Sequence, residues 1–126
     1  MQSLRDSKKT NDVDLWQQAH RLALVAYRVT GEFPVGEHDA LATYIRRAAT
    51  SVPAAVADGF GRANERDLKR RLSSAQGAVS EVFALCLLAR DLGIVSLETF
   101  DVLHGEARRV SMALSERQTP SATRAA

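Results

Sequence analysis

Apolar residues recur along the chain at alternating spacings of three and four, the period that gathers them on one side of an α-helix. Leu15, Ala19, Leu22, Ala26 and Val29 form the first set, and Trp16, Ala23 and Tyr27 widen it. Asp12 or Asp14 is placed to cap this helix. Thr30-Gly31 and Phe33-Pro34 end it near Val29, because the residue before a proline avoids helix. Leu41, Ile45, Ala48, Val52, Ala55 or Val56, and Gly59 predict a second helix, from near Glu37 to Gly59-Phe60-Gly61. Pro53 falls inside it, and one helix kinked near Pro53 is the preferred reading; were the proline to divide it, Ser51 would cap the new start.

The third helix is predicted from Ala63 or Asn64 to Leu92, closed by Gly93. Leu68, Leu72, Ala75, Val79, Val82, Cys86 and Ala89 make a heptad seam along it. From Val82 to Ala89 it is apolar on every side and so needs cover on every side, which points to a subunit interface. The fourth helix starts at Ser96 as N-cap, with Thr99 at its third position, and shows Leu97, Phe100, Leu103, Ala107, Val110 and Leu114 on one face. No run alternates with the period of two that a strand requires. Four amphipathic helices with short links predict an all-α, up-down-up-down antiparallel four-helix bundle over residues 12–116. Residues 1–11 read as a flexible N-terminus and 117–126 as a disordered tail.

Composition adds a few bounds. The chain has 126 residues, the size of one domain, with 45% hydrophobic and 25% charged residues. Its single cysteine, Cys86, excludes an intrachain disulfide and fits a reducing compartment. The start of the chain is polar, and the longest apolar run, Val82 to Ala89, has eight residues against the roughly twenty of a membrane span. A cytoplasmic protein with no membrane contact is expected.

Little in the sequence suggests catalysis. His20, His38 and His104 lie on separate segments, and none is three or four residues from another histidine or from Cys86. Asp101 and His104 have that spacing but read as a surface pair. Cys86, on the apolar seam, reads as a buried inert thiol. No catalytic residue, metal or cofactor is expected. Gly59-Phe60-Gly61-Arg62 lacks the third glycine and the preceding strand of a phosphate loop, so a helix–helix turn is the better reading, though its amides beside Arg62 offer a place for phosphate. Gly77, mid-helix, suggests close approach of another helix, and Glu81 suggests a structural ion pair with Arg46 or Arg47.

Basic clustering is more suggestive. The net charge is only +2, yet Arg62, Arg66, Lys69, Arg70 and Arg71 fall together, opposed only by Glu65 and Asp67. Arg62, Arg66, Lys69 and Arg70 share one broad helix face, as phosphate contacts do. Arg46-Arg47 and Arg108-Arg109 add two lesser pairs.

Several segments occur in a familiar order: Trp16-Gln17-Gln18-Ala19-His20, Phe33-Pro34 with Glu37, Ile45 to Pro53, Gly59-Phe60-Gly61-Arg62, then Leu72, Ala75, Gly77 and Glu81. From about Val13 to Leu114 the chain resembles the four-helix bundle proteins of intervening sequences in bacterial 23S rRNA genes. It departs from them at Tyr44, Ala55, Asp58 and Ala78, where the family more often has Gln, Asn, Glu and Ser. The resemblance implies a helical protomer assembling into a homopentameric ring, with no known activity for most members. A related branch, the accessory proteins of diversity-generating retroelements, binds nucleic acid and a reverse transcriptase. The combined expectation is a non-enzymatic homo-oligomer that binds nucleic acid, structured RNA foremost, through backbone phosphates. Its contacts would be Arg62, Arg66, Lys69 and Arg70, with Arg46, Arg47, Arg108 and Arg109 secondary. The alternative is a protein–protein adaptor ring with no nucleic acid.

Overall fold

In a computed structural model of the chain, residues 10–36 and 38–119 are described. They form α1 (Thr10–Gly31), α2 (Asp39–Phe60), α3 (Glu65–Asp91) and α4 (Leu97–Gln118), with no strand among the described residues. Each helix packs on its sequence neighbours, and α1 closes the ring by packing on α4. Neighbours run antiparallel: Asp12 of α1 meets Arg117 of α4, Thr30 of α1 meets Arg46 of α2, and Lys69 of α3 lies by Gln118 of α4. This is the predicted four-helix bundle.

Local chemistry explains the boundaries. The Asn64 side chain accepts from the Asp67 amide at 2.8 Å, and Ser96 Oγ accepts from the Thr99 amide at 3.1 Å, so each satisfies a donor that the first helical turn leaves free. After α3, Gly93 takes a φ of +74°. Its amide bonds to Arg90 O and that of Ile94 to Ala89 O, both at 3.0 Å, the paired bonds of a Schellman ending. α2 runs unbroken through Pro53, so the proline does not divide it. Ser51 accordingly caps nothing: its hydroxyl donates back to Arg47 O at 2.8 Å.

The core follows the periodicity closely. All the seam residues of α3 are buried, as are Leu15, Ala19, Leu22, Ala26 and Val29 of α1 and Ile45, Ala48, Val52 and Val56 of α2. Tyr27 and Leu97 depart from expectation: both are exposed, and Tyr27 instead lies under the Arg46 guanidinium, 4.7 Å from ring centre to Cζ. Both helix ends outrun their predicted limits. Thr10 and Asn11 are already helical, and Arg117 and Gln118 belong to the bundle, because Arg117 pairs with Asp12 at 2.8 Å and Gln118 reaches Ser73. Asp12 therefore sits within the first turn as a buried ion-pair partner. The expectations for residues 1–9, Glu37 and 120–126 lie outside the described residues.

The close approach expected at Gly77 is found at Gly59. A Cβ on Gly59 would stand 3.2 Å from both Leu68 Cδ1 and Arg71 Cβ, whereas one on Gly77 would meet nothing within 4 Å. α2 and α3 thus come together tightly beside their shared turn. By length and composition α3 would also pass for a membrane span, with mean hydropathy 1.5 over its most apolar stretch. Much of that hydropathy belongs to the seam packed against the other helices.

Gly59→Val is expected to lower stability by about 1–3 kcal/mol through overpacking, as read by urea denaturation. Gly105→Ala, in a helix position where a Cβ meets nothing within 4 Å, is expected to raise it by about 0.5–1 kcal/mol. Arg117→Ala strands buried Asp12 without its salt-bridge partner and is expected to cost roughly 3 kcal/mol.

Candidate nucleic-acid interface

The basic cluster begins at the α2–α3 turn. There the amides of Gly61 and Arg62 bond to Asp58 O and Gly59 O at 3.1 Å, and the Asp67 amide is taken by Asn64. Glu65 and Asp67, also in the first turn of α3, set negative charge where these amides would hold a phosphate and so disfavour one there. The segment works as a helix–helix turn.

Asp58 organises the cations around it. One of its carboxylate oxygens accepts a hydrogen bond from Arg62 Nη2 at 2.9 Å and lies 2.7 Å from Arg71 Nε, an ion pair without hydrogen-bond alignment. The Arg62 hydrogen bond, with the charges of Arg62 and Arg71, holds the Asp58 carboxyl below its usual range despite some desolvation. Arg62 is correspondingly raised, chiefly by the same hydrogen bond. Arg62, one of the expected contacts, thus shares its charge with a carboxylate of its own chain. Arg66, Lys69 and Arg70 stand exposed, with no ion pair among the described residues. At 3.6 residues per turn the three span about 100° of the helix circumference.

The lesser pairs do not join this end. Arg46 is half-buried; its Nε donates to Thr30 Oγ1 at 2.6 Å while its guanidinium covers Tyr27. Arg47 is exposed beside Glu81, and Glu81 lies eleven residues beyond Arg70, about 16 Å along the axis. Arg109 binds Glu106 Oε1 at 2.8 Å, and Arg108 points outward near mid-bundle. The expected bridge from Glu81 to Arg46 or Arg47 does not form within the chain: Glu81 is exposed, and Arg46 is committed to α1.

Two carboxylate clasps escaped the sequence reading. Glu106, only 7% exposed, takes Arg109 and also Arg21 of α1 at 3.3 Å, which ties α4 to α1. The Glu106–Arg109 and Asp58–Arg62 spacings of three and four were legible as helix pairs; Arg21 and Arg71 were not, since tertiary packing brings them in. Among the histidines, His20 stacks on Trp16 with ring centres 4.9 Å apart. His104 packs half-buried against Phe83 and Phe100, each at 5.1 Å, and is more enclosed than the surface pair with Asp101 expected. No group of three metal-ligating side chains forms among the described residues. Cys86 is buried, its Sγ 3.9 Å from Phe100 O, and desolvation pushes the thiol up to about 11, partly countered by Arg90.

A family model described as "23S rRNA-intervening sequence protein" matches residues 11–116. No curated protein matches the chain. Among solved structures, the chain is similar to a protein of unknown function from the S23 ribosomal protein family of Bacteroides thetaiotaomicron VPI-5482. The two share 15% identity and a TM-score of 0.79, over 86% of this chain and 97% of that one, so the likeness is one of fold.

Burial makes the native state keep its Cys86 proton longer than the unfolded chain does. That contribution is complete below pH 9 and fades as pH rises from about 9 to about 11. The denaturation midpoint is expected to fall over that interval more steeply in the wild type than in Cys86→Ala.

Proposed function

Since the chain belongs to the 23S rRNA-intervening sequence protein family, we propose that it is a self-associating helical bundle that binds nucleic acid through backbone phosphates, with Arg66, Lys69 and Arg70 as its contacts. One observation carries this reading: three cations on one exposed face of α3 have no ion-pair partner among the described residues, while Arg62, Arg71 and Arg117 near that end are tied to carboxylates. A cation without a carboxylate keeps its full charge for phosphate, and each phosphate it neutralises releases a condensed counterion. Three contacts from one protomer make weak binding. Copies of the patch in an assembly add by avidity, since the second contact is intramolecular once the first has formed. The face carries no exposed aromatic residue between its cations, so it offers no platform for base stacking. The binding follows charge and shape, and structured RNA is the foremost ligand.

Fluorescence anisotropy with a labelled RNA hairpin and a matched DNA duplex tests the reading. Arg66→Glu with Lys69→Glu should reduce affinity at least tenfold at low salt; unchanged affinity discards the patch. Asp58→Asn is expected to strengthen binding, because it releases Arg62 and Arg71 from their shared carboxylate. Weaker or equal binding by Asp58→Asn in a protein that still folds shows that neither arginine faces the ligand.

A further inference from the structure

The two ends of the bundle differ in charge. Antiparallel packing puts the α1–α2 and α3–α4 connections together at the end opposite Arg66, Lys69 and Arg70. At that end Glu32, Asp39, Glu98 and Asp101 are exposed and form no ion pair among the described residues. Arg90 is held by Asp91 at 3.0 Å and lies over the Phe100 ring, which leaves Arg28 as an exposed cation against them. The α3–α4 connection is also apolar where a surface loop is ordinarily polar. Leu92 is 58% exposed and Leu97 69%, one on each side of Ile94 and Val95, which pack against the core. Val35, on the α1–α2 connection, is 96% exposed.

These leucines do not hang from a loose loop. The backbone amides of Leu92, Gly93 and Ile94 close α3, and Ser96 caps α4, so both leucines project from capped helix ends. A surface ordered in this way gives up little freedom when a partner covers it. Leucines exposed singly need no explanation, but apolar side chains gathered at one end and rimmed by unpaired charge mark a contact surface. We infer that this end is a docking surface for a basic amphipathic helix of another protein, with Leu92 and Leu97 receiving its apolar side chains and Glu98 and Asp101 its lysines or arginines. Charge selects this occupant. The carboxylates repel nucleic acid and anionic lipid, and neutral lipid covers the leucines but leaves the carboxylates unmatched. A helix with cations beside its apolar stripe satisfies both. The inference is independent of the nucleic-acid reading, since it uses the opposite end of the bundle.

Fluorescence anisotropy of a labelled amphipathic peptide of leucine and lysine tests this on the full-length chain, with a leucine–glutamate peptide as control. The wild type should bind the lysine peptide and not the glutamate one. Leu92→Ser with Leu97→Ser, and separately Glu98→Gln with Asp101→Asn, should each weaken binding by roughly tenfold or more. All four positions are exposed, and circular dichroism should show the helix content unchanged. Arg66→Glu with Lys69→Glu should bind the peptide as the wild type does. No binding of the lysine peptide, or binding untouched by both pairs of substitutions, overturns the docking surface while leaving the nucleic-acid reading standing. Equal binding of the two peptides, or loss with the leucine pair alone, overturns the basic character of the partner. Flotation of the wild type with phosphatidylcholine vesicles, lost in the leucine pair, gives this end to lipid and overturns the inference. A molar mass by light scattering that falls in the leucine pair without peptide gives it to a second copy and likewise overturns it.

Discussion

A helix whose apolar residues repeat at four and three hides one side of itself, and in this chain the longest helix carries more apolar surface than one side holds. Leu68, Leu72, Ala75, Val79, Val82, Cys86 and Ala89 form the hidden side of α3, and the other helices are arranged to cover it. α2 packs tightly on α3 at Gly59, where a Cβ would crowd Leu68 and Arg71. α1 and α4 complete the ring and are tied to each other by Glu106 with Arg21 and by Asp12 with Arg117. Ala84, Leu87 and Leu88 remain outside.

The same helix separates two kinds of surface along its length. Its first turns carry Arg66, Lys69 and Arg70, and its later turns carry Gly77, Ala84 and Leu88. Charge near the α2–α3 turn is set by carboxylates. Asp58 accounts for Arg62 and Arg71, and Asp12 for Arg117, so a strongly basic stretch of sequence becomes a smaller patch of unpaired cations. A modest net charge of +2 is compatible with a local phosphate site for that reason.

Most of the fold was legible in the sequence, because helix caps and heptads act over a few residues. Asn64, Ser96 and Gly93 mark their helix ends through bonds to residues no more than five positions away. Every predicted seam residue of α3 is buried, and Ala78 joins them. What failed depended on contacts distant in sequence. Gly59 and Gly77 look alike as small residues in a helix, and only the packing of α3 against α2 tells which is crowded. Tyr27 sits at an apolar position of α1 yet lies outside, under Arg46, because the Arg46 side chain turns toward Thr30. The candidate site fared less evenly. The face of Arg66, Lys69 and Arg70 followed from spacing, whereas the pairing of Arg62 with Asp58 depended on which nearby carboxylate it reached, and that of Arg46 with Thr30 on a neighbouring helix.

The proposed function requires that the exposed cations of α3 exchange small counterions for nucleic-acid phosphates. The direct measurement is the affinity of the unmodified protein for an RNA hairpin across a salt series. The account predicts that log affinity falls linearly with log salt. A slope greater than three cations can supply would show that more than one protomer engages the strand. Affinity independent of salt, or no binding at the lowest salt, would contradict it.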